Sequence, residues 1–178
     1  MKKDRFSSTA EQKILDFLCR NPHVSFYGAE IALHTLLSKG GTNQALRQMA
    51  KEGLLKTEQK GRMIFYSVDP KSATVRQYKI LKNVSMLEPL VEQVKGLSQR
   101  AVLFGSCALG EDTEKSDIDI FVVSNDKEKV RALVLSQPRL KEKIQLVVKS
   151  PQEYMGFDKK EPVFYEEIKK GIVLWEKE

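Results

Sequence analysis

The chain is poor in the features that fix a protein class at a glance. It has two cysteines in 178 residues, Cys19 and Cys107, too few for a disulfide scaffold and without the paired spacing of a zinc site. No apolar run approaches the roughly 20 residues that cross a bilayer, and the opening MKKDRFSSTAEQK lacks the apolar core of an export signal. These absences predict a protein of the reducing cytoplasm with no membrane contact. The two histidines, His23 and His34, stand apart from any acid pair and receive no chemical role. There is no internal repeat and no low-complexity tract. The length allows one domain or two small ones. A net charge of +6 permits nucleic-acid contact without demanding it.

What is present concentrates in Ala101 to Val123, AVLFGSCALGEDTEKSDIDIFVV. Ala101-Val102-Leu103-Phe104 reads as an apolar strand ending in Gly105, which lets the backbone turn sharply and approach a ligand. Ser106 offers a hydroxyl and an amide at that turn, where phosphate oxygens can be received. The next strand carries Asp117 and Asp119 at i and i+2, so both carboxylates leave one face while Ile118 and Ile120 leave the other. Paired acids are disfavoured on a strand and repel each other without a cation. Two adjacent hard oxygen donors suit Mg²⁺ or Mn²⁺, with substrate phosphates completing the shell.

The pattern of Gly-Ser, ten residues, then Asp-x-Asp resembles the minimal nucleotidyltransferases of the DNA polymerase β superfamily. Gly105 and Ser106 match the first element and Asp117 and Asp119 the second, with Gly110 and Ser116 at positions the family often fills likewise. The resemblance implies a small mixed-sheet α/β domain that binds a nucleoside triphosphate, as substrate or ligand, with a divalent metal. In the implied reaction Asp117 and Asp119 hold the metal, Gly105 and Ser106 grip the β and γ phosphates, and a hydroxyl attacks the α phosphorus and expels pyrophosphate. The family generally adds a third acid from the following strand. Here that strand is Lys143 to Val148, and the matching place is Gln145; a neutral amide holds Mg²⁺ less well, so turnover is the weaker expectation. Glu142 or Glu153 could substitute.

The first seventy residues read as a separate unit. Ser8-Thr9-Ala10-Glu11 has the form of a capping box and precedes a helix from Thr9 to Asn21-Pro22. Phe26-Tyr27 gives a short extended piece, and a second helix runs from about Ala29 to Thr35. A third carries Ala45, Leu46, Met49 and Ala50 and ends at Gly53, with Ser38 or Thr42 as its N-cap. Leu54 to Lys56 and Met63 to Val68 form a hairpin with a basic, glycine-containing tip. Three short helices and a hairpin resemble a winged helix-turn-helix domain of the ArsR and MarR type. That resemblance implies duplex DNA as a partner, with Lys39, Thr42, Asn43, Gln44 and Arg47 facing it from the third helix and Lys60 and Arg62 from the wing. Asn and Gln suit adenine, Arg suits guanine, and Lys suits phosphate.

Apolar residues from Val75 to Leu97 recur at helical spacing through two helices broken at Asn83-Val84-Ser85 or at Pro89, a segment suited to dimerisation. Beyond the acid pair, Lys127 to Leu135 reads as a helix and Ile144 to Val148 as a strand. Ser150-Pro151-Gln152-Glu153 is a second capping box, Pro162 to Lys170 a last helix and Ile172 to Trp175 a last strand. The expected organisation is a winged helix-turn-helix domain over 1–69, a helical connector over 70–98 and a minimal nucleotidyltransferase domain over 99–178. Three functions are open: a Mg²⁺-dependent nucleotidyltransferase acting on a hydroxyl acceptor and coupled to DNA, a DNA-binding transcriptional regulator with a weakened, nucleotide-sensing domain, and an antitoxin-type protein acting on a protein partner. A homodimer is expected in each.

Overall fold

The computed structural model describes residues 9–138 and 143–178, which divide into two compact units, one ending at Tyr78 and the other beginning at Lys79. In the first, helix α1 (Ala10–Arg20) is opened by a reciprocal capping box between Thr9 and Gln12. The Thr9 hydroxyl accepts from the Gln12 amide at 3.2 Å and the Gln12 side chain accepts from the Thr9 amide at 3.1 Å. The box therefore sits one residue later than the Ser8-to-Glu11 reading, whose first residue lies outside the described residues; both spacings satisfy the same rule, and Thr9 supplies the extended backbone that a cap requires. Ile14 and Leu18, one helical turn apart, are fully buried.

Strand β1 (Phe26–Tyr27) leads into α2 (Gly28–Thr35) and α3 (Lys39–Lys51). Ser38 is the N-cap of α3, its hydroxyl accepting from the Gly41 amide at 3.2 Å. Ala45, Leu46 and Met49 join Ile14, Leu18 and Ile31 in one apolar cluster. Strands β2 (Lys56–Lys60) and β3 (Met63–Ser67) pair antiparallel, with β3 central in the order β1-β3-β2. The hairpin is longer than its apolar pattern suggests. Because Lys60 pairs with Met63, the turn is only Gly61-Arg62, and Gly61 takes the positive φ of 60° that such a turn favours. Leu55, expected on the strand, turns into the core instead.

Helix α4 (Ala73–Val94) is continuous, with Pro89 inside it, and replaces the two helices expected there. Neither proposed break is used. Asn83 spends its side-chain amide on other segments, donating to the Cys107 carbonyl and the Asp112 carboxylate, and so does not cap its own helix. Among the described residues no helix is long and apolar enough to cross a membrane.

The second unit is built on a mixed four-stranded sheet in the order β6-β5-β4-β7, from β4 (Arg100–Phe104), β5 (Ile118–Val123), β6 (Ile144–Lys149) and β7 (Ile172–Glu176). β5 runs antiparallel to β4 and parallel to β6, while β7 pairs antiparallel with β4. The parallel step is made through α6 (Lys127–Leu135), as such a crossover requires. The two faces of β5 feed different clusters. Ile118, Ile120 and Val122 pack with Leu87, Leu90 and Val130, whereas Phe121 and Val123 pack with Phe104, Phe157 and Ile168. Three short helices, α7 (Pro151–Tyr154), α8 (Phe157–Lys160) and α9 (Pro162–Lys169), carry the second cluster. Tyr154 packs on Phe121 with ring centroids 5.6 Å apart, and the Trp175 indole donates to the Ser98 carbonyl at 3.5 Å; both serve as packing residues.

Candidate functional site

β4 ends at Phe104, and the chain turns directly into α5 (Gly105–Leu109). Gly105 has φ +67°, a conformation that costs an ordinary L-residue roughly 1–2 kcal/mol. A Cβ there would also drive into the Asp119 carboxylate. The glycine is thus required twice, by its backbone and by its neighbour. Phe104 and Asp119 are register partners across β4 and β5, which brings the Gly105-Ser106 turn and the second acid to the same end of the sheet.

Asp119 is half-buried and Asp117, one step before β5 begins, is exposed. Burial raises the Asp119 carboxyl above the usual carboxylate range, and the negative charges of Asp117 and then Glu167 raise it further. The folded protein therefore holds an excess of negative charge at this point that a cation would relieve. Glu153 is committed elsewhere: its carboxylate takes the Lys127 ammonium and the Ser150 amide, contacts that hold its carboxyl down to about 2. Glu142 lies outside the described residues.

Gln145 is the register partner of Asp119 on β6, and its side-chain amide donates to Asp117 Oδ2 at 2.8 Å. An amide hydrogen thus occupies one of the carboxylate oxygens at the position that the family resemblance gives to a third acid. Among the described residues no group of three or more His, Cys, Asp and Glu side chains is gathered to hold a metal. Two carboxylates would need further oxygens from a ligand, such as the oxygens of a triphosphate.

The loop between the turn and the acids is heavily tied. Glu111 N donates to the Ser106 carbonyl at 2.9 Å, Thr113 N donates to the Ser116 hydroxyl at 2.8 Å, and the Cys107 thiol donates to the Asp117 carbonyl at 3.3 Å. Burial, then the charges of Asp112 and Asp119, push that thiol up to about 12. Sequence reasoning missed three contributors. Glu167, on α9, carries no spacing that links it to Asp119. Lys79 and Asn83 did leave a trace: they stand two turns and one turn before Leu87, polar residues on the i+4 line that Leu87 and Val91 continue as buried apolar ones.

Of the residues expected to face DNA, Lys39, Asn43 and Arg47 recur every fourth position and are exposed on α3, with exposed Gln44 beside them. Lys60 and Arg62 are exposed on the hairpin; the Lys60 ammonium lies 2.9 Å from Glu58 and 5.0 Å from the centre of the Phe65 ring. Thr42 corrects the expectation. It is 0% exposed, and its hydroxyl donates to the Ser38 carbonyl at 2.9 Å, because it sits on the core face of α3 beside Ala45 and Leu46.

No curated protein matches the chain. A crystal structure of a Sulfolobus solfataricus protein, described provisionally as a nucleotidyltransferase, is similar at 17% identity over 60% of this chain and 92% of that one, with a TM-score of 0.38, a likeness too loose to carry an argument. The family model described as Nucleotidyltransferase domain matches residues 84–173, half of the chain and the whole stretch from the inner turns of α4 to β7. By that match the chain belongs to the nucleotidyltransferase domain family.

Proposed function

We propose that the second unit binds a nucleoside triphosphate with Mg²⁺ and transfers a nucleoside monophosphate to a hydroxyl acceptor. The observation that carries this reading is the close approach of Gly105 to the Asp119 carboxylate, which sets the Gly105-Ser106 turn against an acid whose charge is disfavoured by burial and by Asp117 and Glu167 unless a cation offsets it. Asp117 and Asp119 supply hard oxygens, and Mg²⁺ bound there would neutralise and orient the triphosphate. The Gly105-Ser106 turn offers an amide and a hydroxyl to its outer oxygens. The chain's own contribution is placement: the β4–β5 register sets the Gly105-Ser106 turn beside Asp119, which spares part of the ordering that a ligand would otherwise require. Each labelled ATP, CTP, GTP and UTP, incubated with Mg²⁺ and hydroxyl acceptors, tests the reading against an Asp117→Asn/Asp119→Asn variant. No transfer or binding that depends on the two acids would sink it.

A second reading is favoured by the bond from Gln145 to Asp117. In it the nucleotide is sensed more than turned over, and the chain is a DNA-binding transcriptional regulator. The first unit, three helices and a three-stranded sheet, is then a winged helix-turn-helix. Lys39, Asn43, Gln44 and Arg47 would face the major groove, with Lys60 and Arg62 along the backbone, and the protein would bind as a homodimer. Salt-dependent binding to duplex DNA that weakens on Arg47→Ala and on Arg62→Ala is the expected result. Absence of duplex binding at low salt refutes it.

A further inference from the structure

Lys79 is the most deeply buried charged side chain among the described residues, with 6% of its surface exposed. An ammonium leaves water at high cost unless it is fully matched. Here it donates to the Asp112 main-chain carbonyl and lies 3.6 Å from Asp112 Oδ1. One turn on, the Asn83 amide donates to the Cys107 carbonyl at 3.1 Å and to Asp112 Oδ1 at 3.0 Å. Two side chains of one helix therefore grip both sides of the site: α5, which begins with Gly105-Ser106, and the loop that leads to Asp117. No charge or amide of this kind is needed merely to fill space, since Leu87, Leu90 and Val91 further along the same helix are apolar and buried in this unit.

We propose that Lys79 and Asn83 are positioning residues of the nucleotide site, clamping Asp112 so that the Gly105-Ser106 turn and the Asp117 carboxylate stand at the separation a metal-bound triphosphate spans. The inference rests on the nucleotide-binding reading and adds to it the device that sets the distance between its halves. Supporting side chains of this kind change ligand affinity while leaving the fold in place.

The test uses the full chain and two variants. Lys79→Met/Asp112→Asn removes both charges together, so neither is left buried alone. Asn83→Ser keeps a polar side chain too short to reach both acceptors. Calorimetric titration with Mg²⁺ and each of ATP, CTP, GTP and UTP is expected to show roughly tenfold weaker binding in both. In the ligand-free protein, amides of 110–117 should exchange at least severalfold faster while those of 119–123 keep their protection, which separates loosening of the loop from general unfolding. Unchanged affinity in a folded variant, or equal loss of protection in both segments, overturns the clamp while leaving nucleotide binding intact. A double variant that does not fold leaves the decision to Asn83→Ser. A wild-type chain that binds none of the four nucleotides refutes the parent reading, and the clamp with it.

Discussion

Replacing Asp119 by Asn should make the metal-free protein more stable at neutral pH, not less. Asp117 and Asp119 stand two residues apart, about 7 Å along an extended chain. Two unit charges at that separation repel by about 2 kcal/mol at an effective dielectric of 20. Asp117 is exposed, so solvent screening brings the working figure nearer 1 kcal/mol. The amide keeps the shape of the carboxylate and adds a donor. A gain of that size moves the melting midpoint by a few degrees, about 3 °C for a chain of this length.

The sign with pH follows from the raised carboxyl of Asp119. The folded state holds its proton more tightly than the unfolded chain does. The penalty is therefore absent below the unfolded value, near pH 4, and grows as pH climbs through the folded one. Melting curves of wild type and Asp119→Asn should converge below about pH 4 and separate above it. Millimolar Mg²⁺ should then raise the midpoint of the wild type and leave the variant nearly where it was. A variant that melts lower at neutral pH, or one that gains as much from Mg²⁺ as the wild type, would refute the reasoning.

Gly105→Ala should destabilise the chain by about 1–2 kcal/mol from its backbone conformation alone, with a further loss as the Asp119 carboxylate is pushed aside; denaturant unfolding and nucleotide titration of the same sample measure both effects, and an undisturbed midpoint would contradict the geometry. Gln145→Asp removes the donor to Asp117 and adds a third acid, so it should melt lower without metal, bind Mg²⁺ more tightly and transfer nucleotide faster. No gain in either metal affinity or rate would show that position 145 does not govern the site.

Much of the second unit was legible because its signals are local. A strand that ends in Gly, acids at i and i+2 with isoleucines between them, and a Ser-Pro-x-Glu cap each declare themselves within a few residues. Gln145 could be placed because β6 has a short apolar pattern, and the parallel register with β5 then fixed it opposite Asp119. Glu167 could not be found that way, since its nearness to Asp119 depends on how α9 lies on the sheet. The unbroken α4 shows the converse error. Pro89 and Asn83-Val84-Ser85 are proper signals for a break, but packing of Leu87, Leu90, Val91 and Val94 into one cluster outweighs the hydrogen bond that proline forfeits. Thr42 erred by a hundred degrees of helix rotation: a polar residue beside Asn43 reads as surface, yet its hydroxyl is satisfied by Ser38 and its methyl suits the core.

Cys107 follows Ser106 directly, where a reactive sulfur would expose the site to oxidants and electrophiles. Its thiol is 2% exposed, bound to the Asp117 carbonyl and held far from ionisation at neutral pH, so the site is insulated from the redox state of its surroundings. The same sulfur becomes a clock. It can be alkylated only when α5 and the stretch before β5 come apart, and the rate at which it reacts therefore counts how often the two halves of the site separate.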